Sequence, residues 1–200
     1  MKKQFISEYR IYQLLNKAGI NTPKYHLVNS ADDIENASFE SNEPIVVKGL
    51  AENLWHKSDL GAVHFCDYQA EIILDLNQSM KTRLQAEYPW VGTLVTERVS
   101  FQTPQGIPSE IFVSLQRDKC CGAVISIGFG GFLTEEWAKV LKEPLLLWPC
   151  SVFSPQEAFD EMSQHWLGKL LLGNARQQKP LISKELLLQF LQSLWSLDPL

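Results

Sequence analysis

Lys48 closes an apolar run, Ile45-Val46-Val47, and Gly49 follows it. A lysine so placed packs its stem along a strand and carries its ammonium to the sheet edge, where ligands of α/β proteins collect. It can hold a phosphate there, or it can snorkel to solvent. Further on, His56-Lys57-Ser58-Asp59-Leu60-Gly61 sets a base, a cation, a hydroxyl, a carboxylate and a glycine in one loop. Such a loop can follow a phosphate with backbone N–H groups while the imidazole moves a proton or a phosphoryl group. The alternative is a polar surface turn. Glu97, inside an apolar strand, and Glu110, at the head of the next, read as half-buried carboxylates that need partners. Those partners are either a ligand's hydroxyls or amine, or Arg98 and Arg117 at the surface. Gly128-Phe129-Gly130-Gly131 admits close backbone approach, and Glu135 and Glu136 behind it offer oxygens suited to magnesium. The same residues would also make a flexible turn before an acidic helix start. Neither GxxxxGK[ST] nor a GxGxxG after a strand is present.

These residues need elements to position them. Ser7 predicts an N-cap, Ile11, Leu14, Leu15 and Ala18 follow helical spacing, and Gly19 ends the helix. Tyr25 to Val28 reads as a strand, Ser30 to Asp33 as a capping box for a short helix, and Ile45 to Val47 as a buried strand. A loop from Ala51 to Ala62 leads to a strand from Val63 to Cys66. A helix from about Tyr68 to Glu87 and a strand from Thr93 to Val99 follow. Ser100 to Ser109, with Pro104, Gly106 and Pro108, reads as a loop. Strands at Glu110–Gln116 and Gly122–Ile127 flank a hairpin turn, and Gly128 to Gly131 breaks regular structure. Ser154-Pro155-Gln156-Glu157 starts a helix whose predicted apolar face is Phe159, Met162, Trp166 and Leu170. Ser183 caps a last helix with Leu187, Phe190, Leu191, Leu194 and Trp195 on its inner face. The mixed order gives an α/β or α+β fold, with a division near Val99.

The chain has 200 residues, with 18 Lys+Arg against 23 Asp+Glu. The resulting charge of −5 supplies no basic stripe for a phosphate backbone, which argues against nucleic acid as a partner. No apolar run approaches a bilayer span, which argues against a membrane, and the two N-terminal lysines lack the apolar stretch of a secretory signal. Cys66, Cys120, Cys121 and Cys150 form neither a CxxC pair nor zinc spacing. A reduced, cytoplasmic protein is expected, with Cys120-Cys121 as small apolar strand or turn residues rather than a reactive pair.

The order of these motifs resembles the ATP-grasp domain of the NDP-forming (ADP-forming) acyl-CoA synthetases, relatives of the succinyl-CoA synthetase β subunit. The resemblance rests on Ser7-Glu8-Tyr9, Gly19-Ile20 and Pro23, on Pro44 to Lys48, and above all on His56 to Val63, which matches His-Lys-Ser-Asp-x-Gly-Gly-Val with Ala62 for the second glycine. Leu94 to Val99, Glu110 to Glu135 and Leu170 to Arg176 extend it over nearly the whole chain. It implies an α+β ATP-grasp fold whose two lobes, 1–98 and 99–200, clamp a nucleotide. It implies ATP and Mg2+ as cofactors, with Lys48, Lys57 and Ser58 at the phosphates, Glu97 and Val99 at the adenine hinge, Glu110 near the ribose, and Glu135 on the metal. His56 would relay a phosphoryl group. The implied partner is a CoA-binding domain or subunit carrying a phosphohistidine, with CoA and the acyl substrate bound outside this chain. The chain departs from the family at Lys139, where an aspartate is usual, and at Leu145 to Pro149, which lacks the family's arginine. Family members also continue past the last helix into an Asp-x-Asn-Pro strand, so the second lobe is expected to be incomplete. Three functions follow: the ATP half of an acid–thiol ligase, a non-catalytic regulatory or scaffold domain of the kind found in multidomain protein acetyltransferases, or an ATP-grasp ligase for another carboxylate substrate.

Overall fold

Ser7 and Gly19 bound the first helix. In the computed structural model, which describes residues 6–54, 56–100, 110–131, 134–174 and 179–197, with Glu135 and Trp137 described by backbone alone, the Ser7 hydroxyl accepts the Arg10 N–H at 3.4 Å. Helix α1 runs Glu8–Lys17, and Gly19 takes φ +74°, a left-handed exit that costs glycine nothing. The chain divides into two compact units, 1–100 and 101–200.

The first unit continues with β1 (Tyr25–Val28), α2 (Ala31–Glu35), β2 (Pro44–Ala51), β3 (Val63–Asp67), α3 (Ala70–Leu84) and β4 (Trp90–Glu97). Asp33 anchors the start of α2 by accepting the Asn29 and Ser30 N–H groups, each at 2.8 Å, and these bonds hold its carboxyl below the usual range. The four strands form an antiparallel sheet in the order β1-β4-β2-β3. Central β2 is covered on both faces. Ile45 and Val47 enter a core with Val28, Ile73, Met80 and Val95. The opposite face carries the row Tyr25, Thr96, Val46, and α1 lies over it through Tyr9 and Tyr12, whose rings meet Tyr25 at 5.7 and 5.1 Å. Lys48 lies two positions beyond Val46, and the period of two places it on this same α1-covered face.

The second unit comprises β5 (Ile111–Asp118), β6 (Gly122–Phe129), α4 (Thr134–Val140), β7 (Leu145–Pro149), α5 (Pro155–Gln164), α6 (Trp166–Leu171) and α7 (Lys184–Trp195). Its strands form an antiparallel sheet in the order β5-β6-β7. The hairpin turn closes on Asp118, whose carboxylate accepts the Cys120 and Cys121 N–H groups at 2.8 and 2.9 Å. Both cysteines are exposed there.

Two expectations for this unit need correction. Gly128 does not break the chain, because β6 runs through Gly128 to Phe129. A Cβ on Gly128 would collide with the Pro144 carbonyl and with Leu145, so this glycine serves close strand approach. The expected helix with Phe159, Met162, Trp166 and Leu170 inward is also split. His165 is extended (φ −69°, ψ 150°), and its ring caps α6 by accepting the Leu167 N–H at 3.3 Å. The buried face becomes Ala158, Met162, Leu167, Gly168 and Leu171, with Gly168 pressed on the Met162–Ser163 backbone. Strand β7 carries the unit's largest buried side chain, Trp148, whose indole N–H donates to Glu161 at 2.8 Å. The loop expected at Ser100 to Ser109 lies, after Ser100, outside the described residues.

Candidate functional site

Lys48 emerges from β2 opposite Val63 of β3, at the start of which the His56 to Ala62 loop returns. That loop is wound tightly. The N–H groups of Leu60, Gly61 and Ala62 donate to the carbonyls of His56, Ser58 and Lys57 at 3.3, 3.0 and 2.7 Å. The expected phosphate cradle of backbone N–H groups is therefore corrected for this half of the loop, whose donors are spent on the turn itself. Gly61 makes the turn possible at φ +59°. Its carbonyl takes the Arg83 guanidinium at 2.6 Å, and the Gly49 N–H binds the Ala62 carbonyl at 2.8 Å. The loop is thus fastened to α3 and to β2.

What this scaffold aims is side-chain charge. Lys48 Nζ donates to Glu8 Oε1, and Lys57 Nζ donates to Glu8 Oε2 at 2.8 Å. Tyr12, one helical turn on, donates its hydroxyl to Glu8 Oε1 at 2.9 Å. The three charged side chains are each about one-fifth exposed. Burial alone would push the Glu8 carboxyl up, but the charges and hydrogen bonds of Lys48 and Lys57 outweigh it and bring it down to about 2. Burial and the Glu8 charge raise the Tyr12 phenol. The group opens on a cleft of about 440 Å³ lined by Glu8, Lys48, His56, Lys57, Ser58, Asp59 and Val63. His56 stands at its lip, 83% exposed, with Nδ1 at 3.9 Å from Asp59.

The cleft brings together Lys48, His56, Lys57 and Ser58 of the residues singled out from the sequence. Glu97 ends β4 and is exposed rather than half-buried, because the strand stops there and its side chain turns to accept the Lys24 N–H at 3.1 Å. Val99 is exposed just beyond. Arg98 lies over the Phe65 ring at 5.4 Å. Among the described residues, neither Glu97 nor Glu110 forms an ion pair with Arg98 or Arg117. Glu110 belongs to the second unit, where its carbonyl accepts the Gly130 N–H at 2.9 Å. Glu135 lies in α4 and its side chain falls outside the described residues. Glu136 pairs with Lys139 at 2.7 Å.

Glu8 is the residue that sequence reasoning missed. It entered only as the middle of Ser7-Glu8-Tyr9. The available signal was Tyr12 four residues on, a spacing that puts both on one helix face, but nothing local names two lysines 40 and 49 positions away.

The family model of the ATP-grasp domain matches residues 1–197. A trans-feruloyl-CoA synthase, FCS1, from an unknown prokaryotic organism is 26% identical over 144 residues, which are 72% of this chain and 19% of that protein. The chain thus spans about a fifth of that curated relative's length. PH1788 from Pyrococcus horikoshii Ot3 superposes at a TM-score of 0.72 with 18% identity, over 96% of this chain and 76% of that one. The dinucleotide-forming acetyl-coenzyme A synthetase 1 of Ca. Korarchaeum cryptofilum, solved with coenzyme A, Ca-AMPCP and HgCl+, gives 0.69 with 22% identity, over 94% and 77%. The same protein with coenzyme A and Mg-AMPPCP, its phosphohistidine segment pointing towards the nucleotide binding site, gives 0.62 with 21% identity, over 94% and 76%. At these identities the structures show a shared fold.

Proposed function

Because the chain belongs to the ATP-grasp domain family, we propose that the cleft at Lys48 and Lys57 receives the phosphates of ATP, in the ATP-binding domain of an ADP-forming acyl-CoA synthetase. The reaction class is acid–thiol ligation driven by phosphoryl transfer to histidine. One observation carries this reading: Lys48 from the strand and Lys57 from the His56 loop converge on one cleft, which Ser58 and His56 also line. Phosphoryl transfer asks a protein chiefly for positioning and charge neutralisation. The two lysines supply both.

In this assignment Lys48 and Lys57 bind and orient the phosphates and Ser58 donates at the lip. His56, exposed, takes the phosphoryl group on a ring nitrogen as its bond to the departing ADP oxygen breaks. It then yields the group to an unphosphorylated histidine of a CoA-binding partner as the His56 N–P bond breaks, leaving that partner's phosphohistidine. Glu97 and Val99 contact the adenine, and Glu110 the ribose. Magnesium, when bound, neutralises phosphate charge. Magnesium held with a nucleotide takes most of its oxygens from phosphate and water and needs only one or two carboxylates. Glu135 is the carboxylate assigned to it. CoA and the acyl substrate bind outside this chain, in a cytoplasmic setting. Among the described residues no helix is long and apolar enough to cross a membrane.

Thermal unfolding with and without Mg-ATP tests the reading. Ligand at a hundred times its dissociation constant adds about 2.7 kcal/mol, and Lys48→Ala should abolish that gain. No shift in the wild-type protein at millimolar Mg-ATP would reject it.

A further inference from the structure

The cleft contains an anion of its own. Two lysines brought together in a partly buried site repel one another and resist desolvation. Glu8 offers one oxygen to each, Oε1 to Lys48 and Oε2 to Lys57, and is itself fixed by Tyr12 from the next turn of α1. The three charged groups sum to one net positive charge, not two. An ammonium carries three donors, and the bond to Glu8 takes one from each lysine. A rotatable point charge on a four-carbon stem is otherwise poorly directed, and a fixed shared acceptor gives both stems one orientation. Glu8 reaches the site from a different element, so α1 sets how far apart the ammoniums of β2 and of the His56 loop can stand.

We propose that Glu8 is a positioning residue, which aligns Lys48 and Lys57 as a single polyphosphate-binding pair while making no bond to the phosphates itself. This rests on the reading that the cleft takes the phosphates of ATP. The opposed possibility is that Glu8 is a competing anion that the phosphates must displace. The two predict opposite signs: a positioner strengthens anion binding, and a competitor weakens it.

The experiment is calorimetric titration of the full chain with inorganic tripolyphosphate and with ATP, for the wild type, Lys48→Ala, Lys57→Ala, Glu8→Gln, Glu8→Asp, Glu8→Gln/Lys57→Ala and Glu8→Asp/Lys57→Ala. Positioning predicts that Glu8→Gln weakens both probes by roughly tenfold, the scale of one charge-assisted bond, and that Glu8→Asp recovers part of the loss. It further predicts a smaller Glu8→Gln penalty in the Lys57→Ala background, because half of what Glu8 aligns is gone; purely structural damage would leave the penalty unchanged. Unchanged or tighter binding by Glu8→Gln, or a penalty that persists in full without Lys57, overturns the proposal. If Glu8→Gln fails to fold, the same cycle run with Glu8→Asp decides: a loss that shrinks in the Lys57→Ala background supports positioning, while no loss, or one that persists in full, overturns it. If the wild type binds neither probe, or Lys57→Ala and Lys48→Ala leave binding untouched, the ATP reading itself falls and takes the positioning role with it. Wild-type binding that depends on the lysines but not on Glu8 rejects the positioning role alone.

Discussion

Lys57 donates to Glu8 at 2.8 Å, joining the middle of the His56 loop to the first turn of α1. With Lys48 on its other oxygen, the carboxyl falls from an ordinary 4.5 to about 2. A carboxyl lowered on folding stabilises the protein fully above its unfolded value, and that stability is lost as pH falls through the folded value. The window is therefore about pH 4.5 to 2. Asp33, Glu43, Asp118, Glu157 and Glu185 are lowered as well and share this acid limb, so the contrast with Glu8→Gln isolates one group. Urea midpoints at pH 5, 3.5 and 2.5 should fall in both proteins, less steeply in Glu8→Gln. Parallel slopes would show that the Glu8 pairing adds nothing to stability.

His56 and Lys57 are neighbours with different situations. Lys57 is mostly buried and paired, while His56 is 83% exposed and 3.9 Å from Asp59. His56→Ala should leave unfolding without ligand within about 0.5 kcal/mol of wild type and keep the Mg-ATP shift. Under the proposed function it should also lose phosphoryl exchange with a histidine-bearing CoA-binding domain. Loss of the thermal shift itself would make His56 a binding residue.

The elements of the first unit were legible because their signals are local. Ser7, Asp33, Gly19 and the Ile45-Val46-Val47 run each act within a few residues, and the helices and strands they predict are found. Lys48 and the His56 loop were found as candidates for the same reason. The Glu8 pairing was not legible, because an acid can pair with any lysine that the fold brings near. The second unit failed at glycines. Gly128 reads in sequence as a chain breaker and Gly168 as an ordinary helix position, yet each is glycine because another backbone lies against it, and only tertiary packing reveals that.

Gly168 therefore makes a sharp test of the split between α5 and α6. A Cβ there would overlap the Met162 carbonyl oxygen, a backbone atom that no rotamer change can move. Gly168→Ala should destabilise by about 3 kcal/mol, the upper part of the overpacking range, despite alanine's better helix propensity. Urea unfolding followed by tryptophan fluorescence reads it directly. A stabilised variant would mean that α5 and α6 merge into the single helix that sequence spacing predicts.

Cys120 and Cys121 are both exposed in the β5–β6 turn, but Cys121 has a distinct environment. Desolvation, then the Asp118 charge, push its thiol up, which disfavours the nucleophilic thiolate. With limiting iodoacetamide at pH 7.5, mass spectrometry should find Cys121 modified more slowly than Cys120. Asp118→Asn should speed the Cys121 reaction. An unchanged rate in that variant would remove Asp118 as a cause.

Gly61 and Gly19 provide a matched pair for the site loop. Both hold left-handed backbone, at φ +59° and +74°, where a side chain costs roughly 1–2 kcal/mol. Gly19 has open space where a Cβ would point, whereas Gly61 has the Arg83 guanidinium at 3.4 Å. Alanine at either position should lower unfolding stability by a similar amount, slightly more at Gly61. Only Gly61 closes the turn whose carbonyls of His56, Lys57 and Ser58 take the Leu60, Ala62 and Gly61 N–H groups, and so fixes where Lys57 leaves the loop. Gly61→Ala should then weaken tripolyphosphate binding severalfold while Gly19→Ala leaves it unchanged. Equal affinities in the two variants would show that Lys57 is held by its bond to Glu8 alone and not by the loop.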